Sequence, residues 1–207
     1  MQWYKDTIWN FHLPERKLVD NQDTPIQIVC IHGSSNQNGL TSLLVKRACQ
    51  GAREAGAKTK VIRLTQMPLP FFAPETEPTP SVLCVFQMLR EADAMIWVTP
   101  TRYFNASPHI MNLINWLDHF HGPPWPLNGK AAGFMAGCEE DGGQSAVNAM
   151  MIPLQHLGVT VPTGGVFFYN KNMAERSEDR WMLTDMTRVG RNVTQLARIL
   201  RENPYAW

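Results

Sequence analysis

No stretch of the 207-residue chain approaches the ~20 consecutive apolar residues that span a bilayer, and its first residues lack the continuous apolar core of a secretory leader. No membrane partner and a cytoplasmic location are therefore expected. One sign of charge does not dominate either: 19 Lys and Arg face 18 Asp and Glu, and the cations are scattered. That pattern carries no nucleic-acid footprint and no polybasic membrane patch, so a small ligand is the expected partner. The four cysteines, at 30, 49, 84 and 138, include no C-x-x-C and no Cys/His spacing of a zinc site. Buried reduced thiols are expected. His119 and His121 stand two apart without a third ligand or a carboxylate cluster, which leaves the expected metal content at none. Internal repeats are absent, and low complexity is confined to one proline-rich stretch.

What is present is enough apolar material, 44%, for one domain with a sizeable core. Residues 1–25 hold Trp3, Trp9 and Phe11 among polar residues with no period, and read as an N-terminal arm on residues 26–207. The apolar run from Ile26 to Ile31 then stops at Gly33-Ser34-Ser35-Asn36-Gln37-Asn38-Gly39-Leu40-Thr41-Ser42, beyond which a helical pattern starts. A turn between strand and helix aims unpaired backbone N–H groups at one spot, where the helix dipole adds to them. That spot suits a phosphate, with short donors on Ser34, Ser35, Asn36, Asn38, Thr41 and Ser42. The glycine spacing is not that of a nucleoside-triphosphate loop, Leu40 stands where its lysine would be, and G-x-G-x-x-G is missing. A terminal monophosphate, held by hydroxyls and amides without Lys or Arg, is the ligand this loop fits. The same residues also make an ordinary connection, so the loop alone does not decide.

Further along, Leu40, Leu44, Ala48, Ala52 and Ala55 have helical spacing, closed by Gly56. Lys58 to Leu64 reads as a second strand, and five prolines between Met67 and Pro80 forbid helix there. Phe71 and Phe72 in that loop are expected in the core. Ser81 to Glu91 is helical, and Ala94 to Val98 is an apolar run of the kind buried on both faces of a parallel sheet. Ile110, Ile114, Leu117 and His121 mark the next helix, Lys130 to Ala136 a fourth strand and Gln144 to Leu157 a fourth helix. Val159 to Phe168 is a fifth strand bent by Pro162, Gly164 and Gly165. A last helix, capped by Ser177, carries Met182, Met186, Val189, Val193, Leu196 and Leu200. Five strands alternating with five helices give an α/β fold: a doubly wound parallel sheet with helices on both faces. With strand order 2-1-3-4-5, the loops Gly33–Ser42, Thr99–Ser107 and Gly137–Gly143 meet at one crevice.

Three segments resemble the flavodoxin-like NAD(P)H-dependent FMN reductases and quinone reductases. I-H-G-S-S-N-Q-N-G-L-T-S-L-L is similar to the family's phosphate loop, V-T-P-T-R-Y-F-N-A-S-P-H-I-M-N-L-I-N-W-L to its ring-binding loop and helix, and A-G-C-E-E-D-G-G-Q-S to its glycine-bearing loop. The resemblance implies that Ser34, Ser35, Asn36, Asn38, Thr41 and Ser42 hold the 5′-phosphate of FMN. It places Pro100, Thr101, Arg102, Tyr103, Phe104 and Asn105 along the isoalloxazine, and Gly137, Glu139, Gly142 and Gly143 around its pocket. Read without it, Tyr103-Phe104 would be core and Asp141-Gly142-Gly143 a plain tight turn. Many members carry an arginine in the phosphate loop, which this chain lacks. The proline loop stands where related iron–sulfur flavoproteins have clustered cysteines, so no cluster is expected.

The implied chemistry is hydride transfer from NADPH or NADH to flavin N5 and on to a quinone, a flavin or an azo compound, with no catalytic side chain. A homodimer or homotetramer is implied too, with Trp116, Trp125, Phe71 and the arm as candidates for the wall between subunits. The rival class is a flavodoxin-type electron carrier, against which the near-neutral charge argues. A hydrolase would need G-x-S-x-G, and Gly143-Gln144-Ser145-Ala146-Val147 lacks the last glycine. A scaffold that has lost its flavin is the third alternative.

Overall fold

A computed structural model of the chain describes residues 24–122, 125–170 and 180–204, with side chains of the last segment described from 184 onward. The elements run β1 (Gln27–His32), α1 (Leu40–Glu54), β2 (Lys58–Arg63), a 3-10 turn (Leu64–Gln66), α2 (Pro80–Glu91) and β3 (Ala94–Pro100). Then come α3 (Pro108–Asp118), β4 (Ala131–Cys138), α4 (Gly143–His156), β5 (Val166–Asn170) and α5 (Arg180–Glu202). All strand pairs are parallel, as the alternation of elements implies, and the order is β2-β1-β3-β4-β5, the one supposed above.

Alternation along the strands divides the core into two layers. Ile28, Cys30, Ile96 and Val98 face α1 and α5, packing on Leu44, Ala48, Ala52, Val189 and Val193. Val29, Ile31, Met95, Trp97 and Phe134 face the other way, onto Val85, Leu89, Ile110, Leu117 and Val147. Every residue of β4 is buried, which is why its sequence is continuously apolar or small.

Helices α1 and α5 cross at two glycines. A Cβ on Gly51 would lie 1.8 Å from the Thr187 carbonyl oxygen, and one on Gly190 would lie 1.9 Å from the Ala48 carbonyl oxygen. Only hydrogen fits there, so backbones touch. At the opposite end of the sheet, Asp93 accepts from Gln27 N–H at 2.8 Å and pairs with Arg201 at 2.5 Å, tying α5 to the start of β1 and β3. Lys130 is buried, and its Nζ donates to the carbonyls of Arg90 (2.8 Å) and Ala92, closing the C-terminus of α2.

Some expectations shift. The fifth strand begins only at Val166; before it, Gly164 takes a positive φ and only Thr160 bridges to Ala131. Gly137 and Cys138 belong to β4 rather than to its exit loop, and Lys130 precedes it. Helix α3 stops at Asp118, so His121 lies beyond it, with its ring against Trp125 and His156. Phe71 is 85% exposed and outside the core, because Asn112 and Trp116 grip the proline loop by its backbone. Phe72 N–H donates to Asn112 Oδ1 (2.9 Å), and Asn112 Nδ2 and Trp116 Nε1 donate to the Pro70 carbonyl (2.9 and 2.7 Å). Phe72, half-buried, sits edge-on to Trp116. Trp116 itself is 0% exposed, which removes it from the candidates for a subunit wall. Gly56 follows α1 with φ +86°, as read. The arm (but for Thr24 and Pro25), Ser177 and the Met182 side chain lie outside the described residues.

Candidate functional site

The first loop leaves β1 at its carboxyl end, beside β3. Gly33 N–H donates to the Val98 carbonyl (2.9 Å), and Ser107 Oγ, at the start of α3, donates to the Gly33 carbonyl (2.7 Å) while accepting from Ile110 N–H (3.4 Å). Ser107 N–H in turn donates to Thr99 Oγ1 (2.8 Å). Ser107 thus caps its own helix and fastens the first loop to the second.

Inside the loop the turns are made by side chains. Asn36 N–H donates to Ser34 Oγ (3.1 Å) and Asn38 N–H to Asn36 Oδ1 (3.0 Å). Beneath lies the His32 ring, 0% exposed, with Nδ1 accepting from Ser34 N–H (3.3 Å) and Nε2 at 2.8 Å from Ser42 Oγ. Acceptance at Nδ1 assigns the proton to Nε2, so His32 donates to Ser42. Burial, and secondarily the Arg63 charge, push the His32 pKa below its usual value, favouring this neutral form.

This scaffolding leaves donors over. Among the described residues, the N–H groups of Ser35, Gln37, Leu40 and Thr41 have no protein acceptor, and Gly39 supplies no side-chain cap to α1. No acidic residue stands in the first turn of α1. Unpaired N–H groups at the positive end of a 15-residue helix fit an anion such as a phosphate. Ser34 and Thr41 are buried at the base, Ser35, Asn36 and Asn38 are exposed, and Ser42 is intermediate.

The second loop is a two-residue hairpin. Arg102 and Asn105 exchange both backbone hydrogen bonds at 2.9 Å, with Tyr103 (φ 45°) and Phe104 (φ 61°) at its tip. Both central residues sit in the left-handed region that glycine or asparagine usually fills. Tyr103 is 100% and Phe104 64% exposed, so they are presented outward and are not core. At its base, Thr101 N–H donates to the Gly137 carbonyl (2.8 Å), Asn105 Oδ1 accepts from Ala106 N–H (2.8 Å), and Thr101 Oγ1 is buried without a partner. An orphaned hydroxyl is unusual in a native protein, and here it fits the polar edge of a heterocycle.

The third loop joins the second by contact. Gly142 has φ +87°, and a Cβ there would meet Phe104 Cα at 2.8 Å. Any side chain would push the hairpin away. Gly143 begins α4, buried against Phe168 and Cys138, while Glu139 is exposed on the loop between. Burial pushes the Cys138 thiol pKa up, favouring the thiol, whose Sγ donates to the Tyr169 carbonyl (3.2 Å). The three loops therefore border one crevice at the carboxyl ends of β1, β3 and β4, the switch point of the sheet.

Residues 26–173 match the NADPH-dependent FMN reductases. The chain belongs to that family. It is 28% identical over 130 residues to the NADPH-dependent FMN reductase ArsH of Acidithiobacillus ferrooxidans, a match taking in 63% of this chain and 54% of that relative. The match thus spans about half the relative's length. Among solved structures, RosB with a bound riboflavin-phosphate intermediate is similar at TM-score 0.74, 19% identity, and 87% and 82% coverage of the two chains. FerB of Paracoccus denitrificans, a flavoenzyme NAD(P)H:(acceptor) oxidoreductase, is similar at 0.68, 17% identity, and 84% and 98% coverage. An archaeal flavodoxin reaches 0.58 at 12% identity, covering 84% of this chain and 99% of the flavodoxin. At these identities the structures share the flavodoxin-like fold. Among the described residues no helix is long and apolar enough to cross a membrane, and no cluster of three or more His, Cys, Asp or Glu is placed to hold a metal.

Two residues that shape these loops escaped sequence reasoning about the ligand. Ser107 precedes Pro108, the signature of a helix start, and that signal was legible. His32 ends an apolar strand run, and only the fold shows its ring turned under the loop.

Proposed function

We propose that this chain is an FMN-dependent oxidoreductase of the cytoplasm that takes hydride from NADPH and passes it to a small acceptor such as a quinone, a flavin or an azo compound. Bound FMN would supply the hydride-accepting centre, N5 of its ring. The observation that carries the reading is the set of unsatisfied N–H groups at the tip of β1, facing a strained aromatic hairpin across the switch point. Ser35, Gln37, Leu40 and Thr41 would hold the phosphate through backbone amides, with Ser34, Asn36, Asn38 and Ser42 shaping the loop. Pro100, Thr101, Arg102 and Asn105 would line the ring, Tyr103 and Phe104 would border its open side, and Gly137, Glu139, Gly142 and Gly143 would close the pocket. NADPH rather than NADH is supported by the family and by the name of its curated relative. Exposed Phe71, Tyr103 and Phe104 support a homodimer or homotetramer, and four free thiols suit a reducing compartment.

The test is the absorbance spectrum of the purified protein, then anaerobic bleaching by NADPH and NADH, then steady-state oxidation with a quinone. Flavin bands, faster bleaching by NADPH and turnover are expected. Bound FMN without turnover would favour the flavodoxin-type carrier; no FMN uptake would overturn the reading.

A further inference from the structure

The phosphate loop contains no cation, yet one stands beside it on the neighbouring strand. Arg63 ends β2 in register with His32, so both side chains leave the sheet on the same face. On that face the His32 ring reaches Ser42 in the first turn of α1. Arg63 is half-buried, and its Nη1 is enclosed without any hydrogen-bond partner. Its charge bears on His32. Among the described residues no Asp or Glu is paired with it: none lies between Gly33 and Lys46, and the Asp and Glu of the ion pairs there bond Arg188, Arg191 and Arg201. A guanidinium is permanently charged, and one partly withdrawn from water without a counter-ion is costly unless an anion completes it.

We propose that Arg63 supplies, from β2, the positive charge that the loop Gly33–Ser42 lacks, and so sets the preference of this site for a phosphorylated over an unphosphorylated flavin. The inference rests on reading that loop as the phosphate site. The half-buried position matters because screening by salt is weaker there than at the surface. Arg63 also acts through His32. Its charge disfavours a second proton on the ring, which leaves Nδ1 free to accept from Ser34 N–H and keeps the loop in its donor-out shape. On the first count Arg63 acts on the anion directly, and on the second, through His32, it is a positioning residue.

The experiment titrates flavin-free full-length protein with FMN and, separately, with riboflavin, following flavin fluorescence at rising salt. Arg63→Met is expected to weaken FMN by about 10–100-fold and riboflavin by less than about twofold, with a flatter salt dependence. Arg63→Lys should recover most of the loss. Equal weakening of both flavins, or of neither, overturns the proposal, as does a Met variant that keeps its FMN affinity but loses the choice between NADPH and NADH. If Arg63→Met does not fold, Arg63→Lys decides: an unchanged FMN-to-riboflavin ratio after neutralisation of the lysine by carbamylation in the folded protein would overturn it. A wild-type protein that binds neither flavin would instead sink the underlying reading, and one that binds both equally would sink this inference alone.

Discussion

His32 shows how one buried side chain can set a loop. Its ring takes an N–H from Ser34 on one side and gives one to Ser42 on the other, and the Ser34 bond requires Nδ1 to carry no proton. Burial, then the nearby Arg63 charge, lower its folded-state pKa below 6.5. The unfolded chain therefore binds a proton at mildly acidic pH that the folded chain refuses. Stability is full above about pH 6.5 and is lost as pH falls below it, levelling off only beneath the folded-state value. Urea midpoints at pH 7.5 and 5.5 should separate for the wild type and draw together for His32→Gln. An unchanged separation in the variant would show that another group carries the slope. The same protonation breaks the Ser34 bond, so FMN affinity should fall over the same window.

Among the elements, the hairpin Arg102–Asn105 and the crossing of α1 with α5 are two of the places where the backbone accepts a cost; Trp125, at φ 51°, is another. Tyr103 and Phe104 hold positive φ without being glycine, which costs on the order of 1 kcal/mol each. Phe104→Gly should therefore raise stability by about 1 kcal/mol in a denaturant melt while weakening flavin binding, because it removes both the strain and the ring beside Gly142. A variant that gains stability and keeps its affinity would show that the strain serves no ligand. At the crossing the constraint is steric. Gly190→Ala places a methyl 1.9 Å from the Ala48 carbonyl oxygen, so the helices must part. A loss of roughly 1–3 kcal/mol is expected, measured by the same melt, and a wild-type midpoint would disprove the contact.

For the whole molecule, the apolar residues left outside are the informative ones. Phe71 projects from a stiff proline loop anchored by Asn112 and Trp116, and Tyr103 and Phe104 project from the hairpin. Large aromatic groups held outward on rigid supports suit association between copies. Light scattering is expected to give a dimer or tetramer, and Phe71→Glu is expected to shift it toward monomer with little change in melting temperature. A monomeric wild type would assign these rings to the ligand alone.

Legibility followed the range of the interaction. Apolar runs, helical spacing and turn residues act within a few positions, and they sufficed for five strands, five helices and a parallel sheet, whereas the strand order that brings the three loops together had to be supposed. The fifth strand was read too early because Pro162, Gly164 and Gly165 are local breaks whose consequence, a late start at Val166, depends on where β4 offers hydrogen bonds. Burial was read wrongly at Trp116 and Phe71, since one loop's backbone carbonyl decides which aromatic goes in and which stays out. Nor could the chain, taken linearly, bring Arg63 beside His32, 31 positions earlier. Patterns along the chain determined which segments become strands and helices, because backbone preference and amphipathicity are local. Which charged and polar side chains gather beside the loop Gly33–Ser42 was decided only by strand pairing, which joins residues that sequence separation keeps unrelated.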